Sequence, residues 1–298
     1  MKRRLLGAVM IVGVAVASGL FLASAPRHID SASLPPHVGD VANGEVLYHI
    51  GGCIACHHPA KESGADMALP SGGAAFVTPI GTLYPPNLTP DTETGLGGWS
   101  DAAFIDAVRH GVSPRGDHYI PAFPYVSYGR MKVEDILDIR AYLKTLPAIS
   151  SVAKPAEIPF PWLVRRGLGL WKRLAVLPPL TDDPGQSASW NRGAYLVNGP
   201  GHCAECHTPR NLAMVMDVDQ ALAGGPHPEG RGKVPSLRDL IGRQKYKDVD
   251  ELATALKEGE EGYFEDLASG GMAEVQQNIA RLPDTDVHAI AEYLGSLK

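Results

Sequence analysis

The chain has 298 residues, with 27 Lys and Arg against 33 Asp and Glu and a formal charge of −6; its isoelectric point is near 6.0. That length accommodates two ordinary domains, each with a core of its own. The slightly acidic balance argues against nucleic acid or the bulk of an anionic membrane as a partner.

The N-terminus reads Lys2-Arg3-Arg4 followed by an apolar stretch over residues 5–25, a positive region and a hydrophobic segment in the order of an export signal. Residues 1–30 are therefore expected to be a signal sequence or a transmembrane anchor. Ala23-Ser24-Ala25 has the small residues of a cleavage site, but Pro26 follows directly. An apolar run of this length also spans a bilayer, which needs about 20 residues. The reading favours a retained anchor with its N-terminus in the cytoplasm, and cleavage is the alternative.

All four cysteines fall in one short pattern used twice, Cys53-Ile54-Ala55-Cys56-His57 and Cys203-Ala204-Glu205-Cys206-His207. C-x-x-C-H is the attachment pattern of a c-type haem. Two thiols a turn apart each add to a vinyl group of one porphyrin, and the adjacent imidazole binds the iron. Two covalently attached haem c groups are expected, with Cys53, Cys56, Cys203 and Cys206 as the attachment residues and His57 and His207 as the proximal iron ligands. Two disulfides, a thioredoxin-like redox pair or a zinc site are the competing uses. None of them explains a histidine directly after both pairs, and paired zinc motifs sit about 15–20 residues apart. Haem is attached outside the bacterial cytoplasmic membrane, so leader and motif agree on the compartment.

The surroundings of the motif repeat as well. A short helix is predicted before each copy, over residues 44–48 and 193–197. Gly- and Pro-rich loops follow, including residues 70–90 and 224–235, which are long for a small domain unless a rigid surface such as a haem lies beneath them. A middle helix is capped by Ser100, turns Phe104, Ile105 and Val108 inward and ends at Gly111; in the second half Leu252 and Leu256 precede Gly259. A closing helix appears over residues 135–146 and again over 286–297. Ile136, Ile139, Tyr142, Leu143 and Leu146 share one face of the first copy, which Pro147 stops, and the second copy starts after Pro283.

Between the halves, no acidic residue occurs from Glu157 to Asp182. Arg165 with Lys172 and Arg166 with Arg173 lie seven apart and share a helical face, while Leu163, Leu170, Trp171, Leu174 and Leu177 gather on the other. Such a helix can lie in a membrane interface. The favoured expectation is a linker whose apolar side packs across the two halves, and Gly167 and Gly169 weaken the helix in either role.

Each half resembles a mono-haem cytochrome c domain. The resemblance is carried by Asn87-Leu88-Thr89-Pro90-Asp91, Gly97-Gly98-Trp99-Ser100 and Pro121-Ala122-Phe123-Pro124-Tyr125 in the first half. In the second it is carried by Cys206-His207-Thr208-Pro209-Arg210-Asn211 and Gly271-Met272-Ala273-Glu274-Val275. It implies an all-α fold of two tandem cytochrome c-like domains, residues 37–149 and 189–298, joined by a basic, Pro-rich linker over 150–188 and preceded by the signal or anchor helix. The pairing is similar to the di-haem and tri-haem cytochrome c subunits of bacterial periplasmic alcohol, aldehyde and sugar-acid dehydrogenases. By that resemblance the chain takes electrons from a periplasmic dehydrogenase and passes them to a quinone, a cytochrome or an oxidase. It would work at the periplasmic side of the cytoplasmic membrane, with no catalytic residue of its own. A di-haem cytochrome c peroxidase is the alternative, and Lys233-Val234-Pro235-Ser236-Leu237-Arg238 is faintly similar to a segment of that family.

A thioether opposite the proximal histidine closes the iron and raises its potential. Met272, in the loop expected before the second closing helix, is assigned this place opposite His207. In the first half Phe123 stands close to the corresponding position. The resemblance gives the ligand role to Met131, with Met67, His110 and His118 as alternatives. Pro59 and Pro209 follow the proximal histidines and suggest a nearby carbonyl acceptor for Nδ1. Arg210 is a candidate propionate partner or a surface residue, and Trp99 a core wedge. His49, His58 and His202 are expected in exposed or packing roles.

Overall fold

The computed structural model describes residues 2–159, 165–228, 232–259 and 272–298. Leu163, Gly271 and residues 229–231 of the second long loop lie outside them. Helix α1, Lys2–Ala23, is the apolar stretch. Its window Arg4–Ala23 has a mean hydropathy of 2.5 with none of it buried. At about 1.5 Å per residue this is long enough for the hydrocarbon core of a bilayer.

The first half is built by crossing helix α2, Val41–Ile50, with α6, Val133–Thr145. Asp40 starts α2 by accepting hydrogen bonds from the backbone N–H groups of Ala42 and Asn43, as an N-cap should. The crossing is close because Gly44 has no side chain: a Cβ there would stand 2.0 Å from the carbonyl oxygen of Asp138. The second half repeats the device with α8, Ala188–Asn198, and α12, Asp284–Ser296. A Cβ on Gly193 would come within 1.9 Å of the carbonyl oxygen of Ala289. Tyr142 and Tyr293 complete the two crossings, their Cβ atoms 3.0 Å from the same virtual positions.

Between these helices lie α3, Cys53–His57, α4, Asp101–Ile105, running on as a π turn to His110, and α5, Tyr125–Tyr128. The second half has α9, Cys203–His207, α10, Val249–Glu258, and α11, Met272–Ile279. The middle helix begins as its sequence predicts, Ser100 Oγ accepting from the backbone N–H of Ala103 at 3.1 Å. It stops at Gly111, whose φ of +59° and contact with the Tyr125 ring both demand glycine. The linker forms α7, Arg166–Ala175.

The chain is helix-rich, as expected, and adds two antiparallel ribbons in the long loops. Strand β1, Phe76–Thr78, pairs with β2, Gly81–Leu83, and β3, Gly225–Pro226, with β4, Lys233–Val234. Glu157 of the linker extends the first ribbon through Thr82. Residues of both halves share one contiguous buried cluster, from Leu47, Ile105 and Ile136 to Leu196, Leu252 and Ile290.

Candidate functional site

Each C-x-x-C-H segment is a single helical turn, α3 or α9. Positions i, i+3 and i+4 of a helix share a face, so the two thiols and the imidazole of each turn are presented together. The residue ahead of each turn is left-handed, Gly52 at φ 59° and His202 at φ 40°. Gly52 adopts that conformation freely, whereas His202 is strained in it.

The histidines are held alike. The ring Nδ1–H of His57 donates to the carbonyl of Pro86 at 2.7 Å, and that of His207 to the carbonyl of Pro235 at 2.8 Å. A carbonyl can only accept, so the tautomer is fixed and the lone pair sits on Nε2, the atom that would meet a metal. Burial pushes the His57 imidazole down to about 4, against the opposite pull of the Pro86 carbonyl, and burial lowers His207 as well. Both rings are thus neutral at ordinary pH, as a ligand must be.

Around each turn the backbone repeats in detail. Gly72 N–H donates to the carbonyl of His57 at 2.7 Å and Gly224 N–H to that of His207 at 2.7 Å. Leu88 N–H reaches the Pro70 carbonyl at 2.8 Å, and Leu237 N–H the Leu222 carbonyl at 2.9 Å. The acceptors of the histidine protons are therefore not near Pro59 and Pro209 but in the shared Pro-x-Leu segments, Pro86-Asn87-Leu88 and Pro235-Ser236-Leu237. That repeat was the available signal. It also accounts for residues 233–238, whose Pro235 carbonyl holds His207, without a peroxidase explanation.

Cys53 and Cys203 are free thiols. Burial pushes the thiols of Cys53 and Cys203 up to about 12, so with no group bound both are protonated. Among the described residues no three His, Cys, Asp or Glu side chains converge on a metal-ion site. One turn before Cys53, the Tyr48 hydroxyl is buried without a hydrogen-bond partner among the described residues, as is Ser71 Oγ. Unpartnered buried hydroxyls cost about 1–3 kcal/mol each and suit a site completed by a polar-edged group. Paired thiols, a free Nε2 and these hydroxyls fit a covalently attached haem.

Other assignments land differently. Met272 opens α11 and is half-buried, on a helix where a loop was expected. Met131 is 1% exposed, and its Cγ lies 3.6 Å from the virtual Cβ of Gly199 in the second half. Its repeat counterpart is Leu282, also 1% exposed. Met131 N–H donates to the Tyr128 carbonyl and Leu282 N–H to that of Ile279, both at 3.0 Å. Phe123 sits edge-on to Tyr119 and Tyr128, with ring centroids 5.9 and 5.5 Å away. The alternatives to Met131 are engaged or exposed: His118 Nε2 bonds Ser24 at 2.9 Å, His110 Nδ1 meets Asp106 at 3.0 Å, and Met67 is 41% exposed. Arg210 pairs with Glu205 at 2.5 Å, Trp99 is half-buried, and its carbonyl accepts from Arg140.

The two attachment turns meet. Tyr128 Oη donates to the Gly51 carbonyl at 2.7 Å, and the Tyr128 and His202 rings are 5.7 Å apart, edge to face. Ser127 Oγ donates to Glu205 Oε1 at 2.9 Å, and Ile50 Cγ1 lies 3.3 Å from the virtual Cβ of Gly201. Sequence reasoning gave His202 a packing or exposed role. Its bridging contact depends on how the halves face each other, which no local pattern encodes.

The cytochrome c family model matches residues 41–147. Over 296 residues the chain is 39% identical to a di-haem c-type cytochrome of Cereibacter sphaeroides, covering 99% of this chain and 98% of that protein. The chain belongs to the cytochrome c family. As a member it carries covalently bound haem c. This cytochrome is also 33% identical over 300 residues to the fructose dehydrogenase cytochrome subunit of Gluconobacter japonicus, covering 99% of this chain and 60% of the other. It is 37% identical over 275 residues to the gluconate 2-dehydrogenase cytochrome c subunit of Pantoea cypripedii, covering 86% and 59%. It thus spans little more than half the length of those dehydrogenase subunits.

Proposed function

We propose that this cytochrome carries two haem c groups, one on each attachment turn, and transfers electrons from a periplasmic dehydrogenase to the respiratory chain without a catalytic residue of its own. The observation that carries the reading is the duplicated turn, with its paired thiols and its Nδ1–carbonyl lock, set twice into the same helix crossing. Cys53 and Cys56 would hold one group and Cys203 and Cys206 the other, with His57 and His207 offering Nε2 to iron. Bound haem supplies reversible one-electron chemistry, and the protein supplies orientation and electrostatics.

On this reading residues 37–149 and 189–298 are two cytochrome domains and 150–188 the linker that joins them. Met272 would offer its thioether to the second haem iron. Met131, buried just ahead of α6, would do so for the first; Leu282 stands at its place in the second half, where Met272 takes the role.

The similarity to cytochrome subunits of fructose, alcohol and gluconate dehydrogenases supports a dehydrogenase as donor; a quinone, a cytochrome or an oxidase would accept. The test is anaerobic mixing of the oxidised protein with such a dehydrogenase and its substrate. Reduction that requires both is expected. Failure to be reduced, together with peroxide-dependent dye oxidation, would replace this reading with the peroxidase one.

A further inference from the structure

The C-terminal end of α1 is built into the fold. The last carbonyls of a helix have no partner within it, and here they are met by donors from elsewhere in the chain. The Phe21 carbonyl accepts from Arg166 Nη2 at 2.9 Å, the Ala23 carbonyl from Arg173 Nε at 2.7 Å, and the Ser24 carbonyl from His118 Nε2 at 2.9 Å. Ser24 Oγ accepts from Arg166 Nε at 3.0 Å, and the Arg166 guanidinium lies 4.3 Å from the centre of the Phe21 ring. Ser24 is 3% exposed. Cations at a helix C-terminus are favoured by its dipole, and α7 supplies two of them.

The fit is also steric. A Cβ on Gly169 would stand 2.2 Å from the Ser24 carbonyl oxygen, so the backbone of α7 rests on the end of α1. Behind that contact, Lys172 Nζ lies 3.1 Å from His118 Nδ1 and donates to the carbonyls of His110 and Gly111 at 2.6 and 2.8 Å. The small residues that would serve a signal peptidase, Ala23-Ser24-Ala25, are thus the joint itself. Cutting there would leave His118, Arg166 and Arg173 without acceptors, and the scissile bond after Ala25 is the tertiary amide of Pro26.

The helix that seats α1 is placed to touch what α1 spans. The apolar helix closes at Ala23, and α7 packs against that end with Arg173 and Leu174 exposed, Leu174 at 69%. A cleft at the joint is lined by Arg27, Arg109, His118, Lys172 and Arg173. A cationic helix with an exposed leucine, fixed to the mouth of a membrane span, matches phosphate headgroups and the acyl boundary below them. We propose that α1 is retained as a permanent anchor and that α7 is an interfacial helix lying on the anionic phospholipid headgroups of the outer leaflet, fixing the attitude of the cytochrome to the membrane.

The test uses the full chain matured with haem in a bacterial host. Its intact mass should include residues 2–25, and the protein should stay with membranes through alkaline carbonate washing. A mature chain beginning after Ala23 or Ala25 overturns the anchor. The variant Leu174→Trp, reconstituted in bilayers containing anionic lipid brominated near the headgroup, should show quenching of the added fluorescence. No quenching, or quenching only once a dehydrogenase is bound, overturns the interfacial helix. The variant Gly169→Leu should lower the melting temperature while leaving the haem spectrum intact; an unchanged melting temperature overturns the joint.

Discussion

Tyr128 and His202 join the two attachment turns: their rings stand edge to face 5.7 Å apart, and Tyr128 Oη donates to the Gly51 carbonyl at 2.7 Å. His202 makes this contact from a left-handed backbone, φ 40°, where its counterpart is Gly52. The position thus combines a strained backbone with a ring that reaches the other half. His202→Gly relieves the strain and loses the ring contact, so its stability should stay within about 1 kcal/mol of the parent. His202→Ala keeps the strain and loses the ring contact, and should cost about 1–2 kcal/mol. Denaturant titration of the two variants checks the ordering, and redox titration of His202→Gly should show altered midpoint potentials with both haems still attached.

Replacing either crossing glycine should be far more damaging than its size suggests. A Cβ at Gly44 or Gly193 meets backbone at 2.0 or 1.9 Å, and backbone on a packed helix cannot swing aside as a side-chain end can. Gly44→Ala and Gly193→Ala should each destabilise by about 3 kcal/mol, the upper range for overpacking. Gly167→Ala, with nothing within 4 Å of its virtual Cβ, is the control and should be neutral or slightly stabilising. Melting temperatures of the three variants decide this.

The two halves should use methionines from different positions. Met272→Leu should remove the second haem's share of the long-wavelength charge-transfer band of methionine-bound ferric haem and lower that haem's potential. Met131→Leu, which installs the residue found at the same place in the repeat, should remove the first haem's share. A band unchanged in Met131→Leu would assign Met131 to packing.

The approach to α2 has a pH signature. His37 Nε2 lies 2.6 Å from Asp138 Oδ1, and the hydrogen bond it donates to Asp138 holds the His37 imidazole above its ordinary 6.5 against the pull of burial. Burial alone would raise the Asp138 carboxyl, but hydrogen bonds from His37, Asn43 and the Asp40 N–H hold it below its ordinary 3.8. The histidine contribution is complete below 6.5 and is lost as pH rises through its raised folded value; the carboxylate contribution is present above 3.8 and is lost as pH falls through its depressed one. Stability should be greatest between these limits. In Asp138→Asn the decline on the alkaline side should vanish, as urea midpoints across pH 5–9, an order-of-magnitude span around the histidine range, would show.

Much of this molecule could be read from the chain. The closing helices, the Ser100 cap and the Gly111 stop follow from local periodicity and capping, and local physics delivers them. The placing of His57 and His207 beside their thiols is local too, since each C-x-x-C-H segment is a single helical turn. What escaped was long-range. The Pro86 and Pro235 acceptors lie 29 and 28 residues from their histidines and are visible only when the halves are laid together. The Met131 assignment lies beyond local pattern, because a buried packing methionine and an iron ligand share a composition, and Leu282 stands at its place in the repeat. The linker was expected to pack its apolar face across the halves; Trp171 does reach Tyr125 and Ala213, while its cations close the end of α1.

The account rests on two haem-bearing turns in one electron carrier. A reductive titration of the purified full chain, followed through the haem absorption bands with the covalent haem content measured on the same sample, tests this most directly. Two covalent haems per chain, taking up two electrons in two one-electron steps, are predicted, and Cys203→Ala/Cys206→Ala should halve the count. A single covalent haem in the parent chain, or cysteines of one motif recovered as a disulfide, would contradict it.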